Sequence, residues 1–122
     1  MAAVNSPNRR VRIDFKQVEP ADAARALGAA VDIVASDAGA NTDELDIIDE
    51  AITELCELIG TSALSVELGG TENSLWVEIE HGEIGAQLHL APVIAAAFPS
   101  IAEQKRTSIL RRQFAPASLG SR

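Results

Sequence analysis

The sequence predicts a two-layer α/β (α+β) sandwich: a mostly antiparallel four-stranded sheet with three helices, in the order β-α-α-β-β-α-β. Three observations carry that expectation. The stretches "VRIDFKQV", "ALSVELGG" and "SLWVEIEHG" alternate apolar and polar residues with the period of two that half-buried strands need. The stretch "DIIDEAITELCELI" instead spaces its apolar residues by three and four, the period of an amphipathic helix. Between the second and third alternating runs, "GGTENS" supplies turn chemistry, which predicts an antiparallel hairpin with a short loop.

Taken in order, residues 1–10, with Asn5, Ser6, Pro7 and Asn8, read as a disordered arm, and residues 115–122 as a flexible tail. One folded unit is expected over 11–114, since 122 residues suffice for one core but not for two independent ones. Val11, Ile13 and Phe15 form the inner side of the first strand, against Arg12, Asp14 and Lys16. Pro20 then opens a helix at a position where its missing N–H costs nothing, Asp22 favours the positive end of the dipole, and Gly39 closes it. Leu27, Ala30, Val31 and Val34 are its apolar stripe.

In the second helix Asn41 or Thr42 can cap the N-terminus, Asp43 and Glu44 occupy the first turn, and Gly60 follows the last periodic residue. Leu45, Ile48, Ile52, Leu55 and Ile59 share its core face. After the hairpin, "LHLAPVIAAAFPS" reads as a short buried helix bounded by Pro92 and Pro99. "RTSILRRQF" is the final strand, its basic side chains protecting an edge or binding something.

Composition narrows the function classes. A single cysteine, Cys56, cannot form an internal disulfide, no apolar run approaches a membrane span, and the N-terminus lacks the apolar centre of a secretory signal. A soluble cytoplasmic protein that does not engage a membrane is expected. Net charge is −8, concentrated in the middle: from Glu19 to Glu80 there are 15 acidic residues and only one basic residue, Arg25. That balance argues against direct nucleic-acid binding and favours a basic protein partner, although acidic surfaces also serve solubility. No phosphate-loop, dinucleotide or nucleophile-elbow motif occurs, and the spacing of Cys56, His81 and His89 matches no zinc pattern.

Three groups of residues stand out. Glu54 lies on the row Ile47, Ala51, Glu54, Leu58, which borders the apolar face of the second helix. It is either a base placed where chemistry needs one or a carboxylate whose stem packs while its head reaches water. Asp46, Asp49, Glu50, Thr53 and Glu57 form the polar side of that helix, either a solvated face or a partner surface. Trp76 alternates with the inward residues of its strand, so it points with Glu78 and Glu80 to the opposite sheet face. If no helix covers that face, Trp76 is the kind of anchor that interfaces use.

The element order, and "AITELCELIG" within the second helix, resemble the histidine-kinase-type ATPase fold, and within it the small bacterial anti-sigma-factor serine kinases. In that family a motif of the form AVSEALTNAV occupies this helix. Ala51, Ile52, Thr53 and Glu54 align with it without gaps, which places Glu54 on the acidic residue that activates a water or hydroxyl. Four residues on, the family's magnesium-binding Asn is replaced by Leu58, a side chain with no donor or acceptor. The family's adenine-recognising Asp after the hairpin is absent from "WVEIEHGEIG", where Glu80, His81, Gly82 and Gly85 stand, and the glycine-rich lid is reduced.

The resemblance therefore implies a non-catalytic regulator on a degenerate ATPase fold, with no bound ATP or Mg²⁺ and with Glu54 as a vestigial base. It implies a sigma factor or an anti-anti-sigma protein as partner, often with a homodimer. Partner contact is expected through Asp46, Asp49, Glu50, Glu57 and Trp76. The alternative is an active serine/threonine kinase with unconventional nucleotide contacts.

Overall fold

Alternation at the start of the chain becomes strand β1 (Arg9–Phe15), followed by helices α1 (Pro20–Ala38) and α2 (Thr42–Ile59). Strands β2 (Leu64–Thr71) and β3 (Ser74–Glu80) form the expected hairpin. A single 3-10 turn (Leu88–Leu90) leads into the short helix α3 (Pro92–Ala97), and strands β4 (Ser100–Glu103) and β5 (Thr107–Gln113) follow. The computed structural model describes residues 9–16, 18–59, 64–71, 73–80, 88–104 and 106–114. Residues 1–8 of the arm expected over 1–10, the tail over 115–122, and His81, Gly82 and Gly85 lie outside the described residues.

The sheet has five strands in the order β1-β2-β3-β5-β4, every neighbouring pair antiparallel, rather than the four expected. The additional strand is β4, four residues reading "SIAE" at the sheet edge. It carries only one β-branched residue and is held by its hairpin with β5 rather than by its own composition. Its presence also moves β5 to the interior of the sheet, so the arginines of β5 do not protect an edge. The first strand likewise begins two residues early, at Arg9, because Arg9 and Arg10 pair with Gly70 and Gly69.

One face of the sheet supplies Phe15, Val66, Leu68, Leu75, Val77, Ile79 and Leu110 to the core, and these meet Leu27, Val31 and Val34 of α1 and Ile48, Ile52 and Leu55 of α2. Burying one such aliphatic side chain stabilises the fold by about 2 kcal/mol, so this continuous apolar layer is what holds helices to sheet. The third helix is less buried than expected: Ile94 and Ala97 face the core, whereas Val93 and Ala96 are exposed. A helix of six residues can direct only one narrow stripe inward.

Two glycines expected in the turn instead continue strand β2 as Gly69 and Gly70. A Cβ on Gly70 would stand 3.0 Å from Val34 Cγ1 and 3.3 Å from the Val34 carbonyl oxygen, so the absent side chain is what lets α1 lie close on the sheet. The turn itself is tighter, with Thr71 opposite Ser74, their hydroxyls hydrogen-bonded, and Asn73 in the left-handed region at φ 67°. Asn73 N–H donates to the Ala38 carbonyl and its own carbonyl accepts from Phe114 N–H, which ties the turn to the end of α1 and the end of β5. No helix among the described residues is long and apolar enough to cross a membrane.

Candidate functional site

Helix α2 presents Glu54 and Leu58 one turn apart on one face. Its entry is set by a reciprocal capping box: Glu44 N–H donates to Asn41 Oδ1 at 2.8 Å, and Asn41 N–H to Glu44 Oε1 at 3.0 Å. Of the two capping candidates, Asn41 is the one used. Glu54 is half-buried, as its place beside the apolar stripe predicts, while Leu58 is 45% exposed. A leucine left that open contributes little to the core and offers no oxygen to a cation.

The acidic side of α2 divides. Asp46, Glu50 and Glu57 are exposed, but Asp49 turns toward α1 and meets Asp32. Gly28 lies beside this contact: a Cβ there would stand 3.8 Å from Asp49 Oδ1, an ordinary van der Waals separation. Burial, then hydrogen bonding and repulsion from Asp32, with Asp46 adding to the repulsion, push the Asp49 carboxyl up to about 6. The two carboxyls and Thr53 line a shallow cleft of about 320 Å³ with Arg25 at its rim. Sequence periodicity places Asp49 with the solvated acids because it sees one helix at a time; Asp32 comes from another.

Trp76 points away from the helix layer, as its strand parity requires. On this helix-free face the register aligns Arg10, Gly69, Trp76, Arg111 and Ser100 in one row across all five strands. Gly69 leaves space beside the half-buried indole, and the Arg10 guanidinium lies over its ring, 5.5 Å from the centroid. Arg10 also pairs with Glu67 at 3.4 Å, and Asp14 accepts from the Ser65 hydroxyl at 2.7 Å, which holds the Asp14 carboxyl below its usual range. Beyond Trp76 an open cleft of about 610 Å³ is lined by Ser74, Trp76, Pro99, Ser100, Arg111, Arg112 and Gln113, with Leu75 at its floor.

Arg111 and Arg112 are neighbours in sequence but have opposite fates, because successive strand residues face opposite sides. Arg111 is exposed on the helix-free face. Arg112 turns inward, where its Nη1 donates to the Ala97 carbonyl at 3.0 Å and its Nη2 lies 3.6 Å from Glu44 Oε2. The sequence marked these arginines as binding or edge residues without separating them. The parity set by Leu110 separates them once the strand's inward side is known.

Cys56 is buried in the core, and burial pushes its thiol up to about 11. His81 and the side chain of His89 lie outside the described residues. Among the described residues no three His, Cys, Asp or Glu side chains converge in a metal-binding arrangement. The chain matches no known protein-family model, and no curated protein matches it.

Proposed function

We propose that the chain is a non-catalytic regulatory protein of the anti-sigma-factor type, which acts by binding a transcription regulator, either a sigma factor or an anti-anti-sigma protein. The observation that carries this reading is the Glu54–Leu58 pair. Glu54 keeps the half-buried position of a general base, and the next turn presents an exposed leucine where a phosphate-bridging cation would need an amide oxygen. A base without a metal ligand beside it retains the helix and loses the reaction.

Binding groups remain in plain supply. Asp46, Glu50 and Glu57 give α2 a row of exposed carboxylates, which favours encounter with a basic partner segment, and Trp76 gives the opposite face an aromatic anchor.

Two measurements decide it. Co-purification from the native cell should recover a transcription regulator, with a matching change in sigma-dependent transcription when the chain is deleted. Millimolar ATP with Mg²⁺ should leave the melting temperature unchanged; a rise that grows with nucleotide concentration would instead favour a serine/threonine kinase using Glu54 as base.

A further inference from the structure

The helix-free sheet face is electrically two-ended. Its first row holds Arg10, which pairs with Glu67 of the next row, and Arg111 on either side of Trp76, and no carboxylate. The next two rows, roughly 7 and 13 Å further along the strands, hold Glu67, Glu78, Asp14 and Glu80 against one guanidinium, Arg12, which already pairs with Asp14. Among the described residues no carboxylate lies within ion-pair distance of Arg111. Among the described residues the 610 Å³ cleft beside Trp76 is lined by the exposed Arg111 and no acid, Arg112 being turned inward onto Glu44, on a chain whose net charge is −8. Such a local inversion of sign beside an aromatic wall attracts an anionic group attached to something apolar.

We infer that this face binds an extended peptide segment of a protein partner, with an acidic residue at Arg111, an aliphatic residue two positions before it in the cleft beside Trp76, and basic residues two and four positions further on over Glu78 and Glu80. The spacing follows from geometry: alternate residues of an extended peptide advance by about 6.7 Å, the separation of the rows on the face. Ser74, Ser100 and Gln113 supply polar partners around the carboxylate. This inference rests on the reading of the chain as a protein binder and specifies the partner's chemistry.

Two other occupants fit less well. A nucleic-acid strand would run its phosphates over Glu67, Glu78 and Glu80. A second copy of the chain would find, among the described residues of this face, only Trp76, Ile109 and Ala102 as apolar contacts, too few for the apolar centre of a stable homodimer interface.

The test is fluorescence anisotropy of a labelled, capped peptide with the order aliphatic, Ser, Asp, Ser, Lys, Ser, Lys, titrated with the full chain. Saturable binding is expected, weakened at least ~10-fold by Arg111→Glu and by Trp76→Ala. Trp76→Phe should retain affinity within about threefold, since it keeps the aromatic wall, and Arg25→Glu on the other layer should change nothing. Circular dichroism and melting of each variant separate lost binding from lost folding. Equal binding of a peptide with Asp and Lys exchanged, no binding of the original, tighter binding of a thymidine oligonucleotide, or concentration-dependent dimerisation abolished by Arg111→Glu would each overturn the inference. Any of these results leaves the regulator reading to be decided separately by the co-purified partner.

Discussion

Glu44 Oε2 lies 3.6 Å from Arg112 Nη2, joining the first turn of α2 to the inward side of β5. The same carboxylate closes the capping box through Oε1, and the same guanidinium caps the end of α3 at the Ala97 carbonyl. Three elements thus meet on one ion pair whose side chains are only 11% and 15% exposed. Arg112 Nε is buried there without a hydrogen-bond partner, so the arginine depends on its remaining contacts.

Glu44→Ala should therefore destabilise the fold by about 2–4 kcal/mol, because it leaves a buried guanidinium uncompensated and removes a cap. Arg112→Met alone should cost less, since the methionine fills the same space. Urea denaturation of both variants and of the double variant gives the coupling. Strict additivity would show that the pair is not energetically linked.

Gly70 and Gly28 should respond to alanine with opposite signs. Gly70→Ala places a Cβ 3.0 Å from Val34 Cγ1, with the rigid helix backbone behind it, and should cost about 1–3 kcal/mol. Gly28→Ala meets nothing closer than 3.8 Å within a helix and should stabilise by about 0.5–1 kcal/mol. Thermal melts of the two single variants check the contrast.

Stability should depend on pH through Asp49. Its carboxyl is held at about 6 in the folded chain, against 3.8 for the ordinary side chain, so the folded state binds the proton more tightly. The contribution is fully present below about pH 4 and is lost as pH rises through 6. Asp49→Asn should thus stabilise at pH 7 by on the order of 1 kcal/mol, after allowance for partial solvent screening, and have no effect near pH 3.5. Equal effects of the substitution at both pH values would exclude the Asp32–Asp49 contact as the cause.

Cys56 should be inert in the folded chain. With the thiol 2% exposed and pushed up to about 11, a disulfide reagent at pH 8 should label it only after unfolding. The labelling rate then reports the opening of α2 from the core, and rapid labelling under native conditions would contradict the packing described.

The two-layer α+β class, both long helices and the β2–β3 hairpin were legible because each rests on a local period or cap: Leu45 to Leu55 at spacings of three and four, Gly39 after α1, Asn41 before α2. The edge strand β4 was not, since "SIAE" has no period long enough to read and pairs only because β5 lies beside it. In the candidate site, Trp76's outward direction follows from strand parity. The division of the acidic helix side does not, because Asp49 differs from Asp46 only through Asp32 across the helix pair.

By itself the chain's sequence determined the two long helices, the alternation of β1, β2, β3 and β5, and that Leu58 stands four residues after Glu54, since these depend on contacts a few residues apart. The tertiary structure alone decided what lies opposite what. Gly69 beside Trp76, Arg10 over its ring, Glu44 on Arg112 and Asp32 on Asp49 are pairs separated by 7 to 68 residues in the numbering. Only the sheet register and the packing of helix on helix bring such pairs within reach, because a charge or ring acts through distance in space and not through separation along the chain.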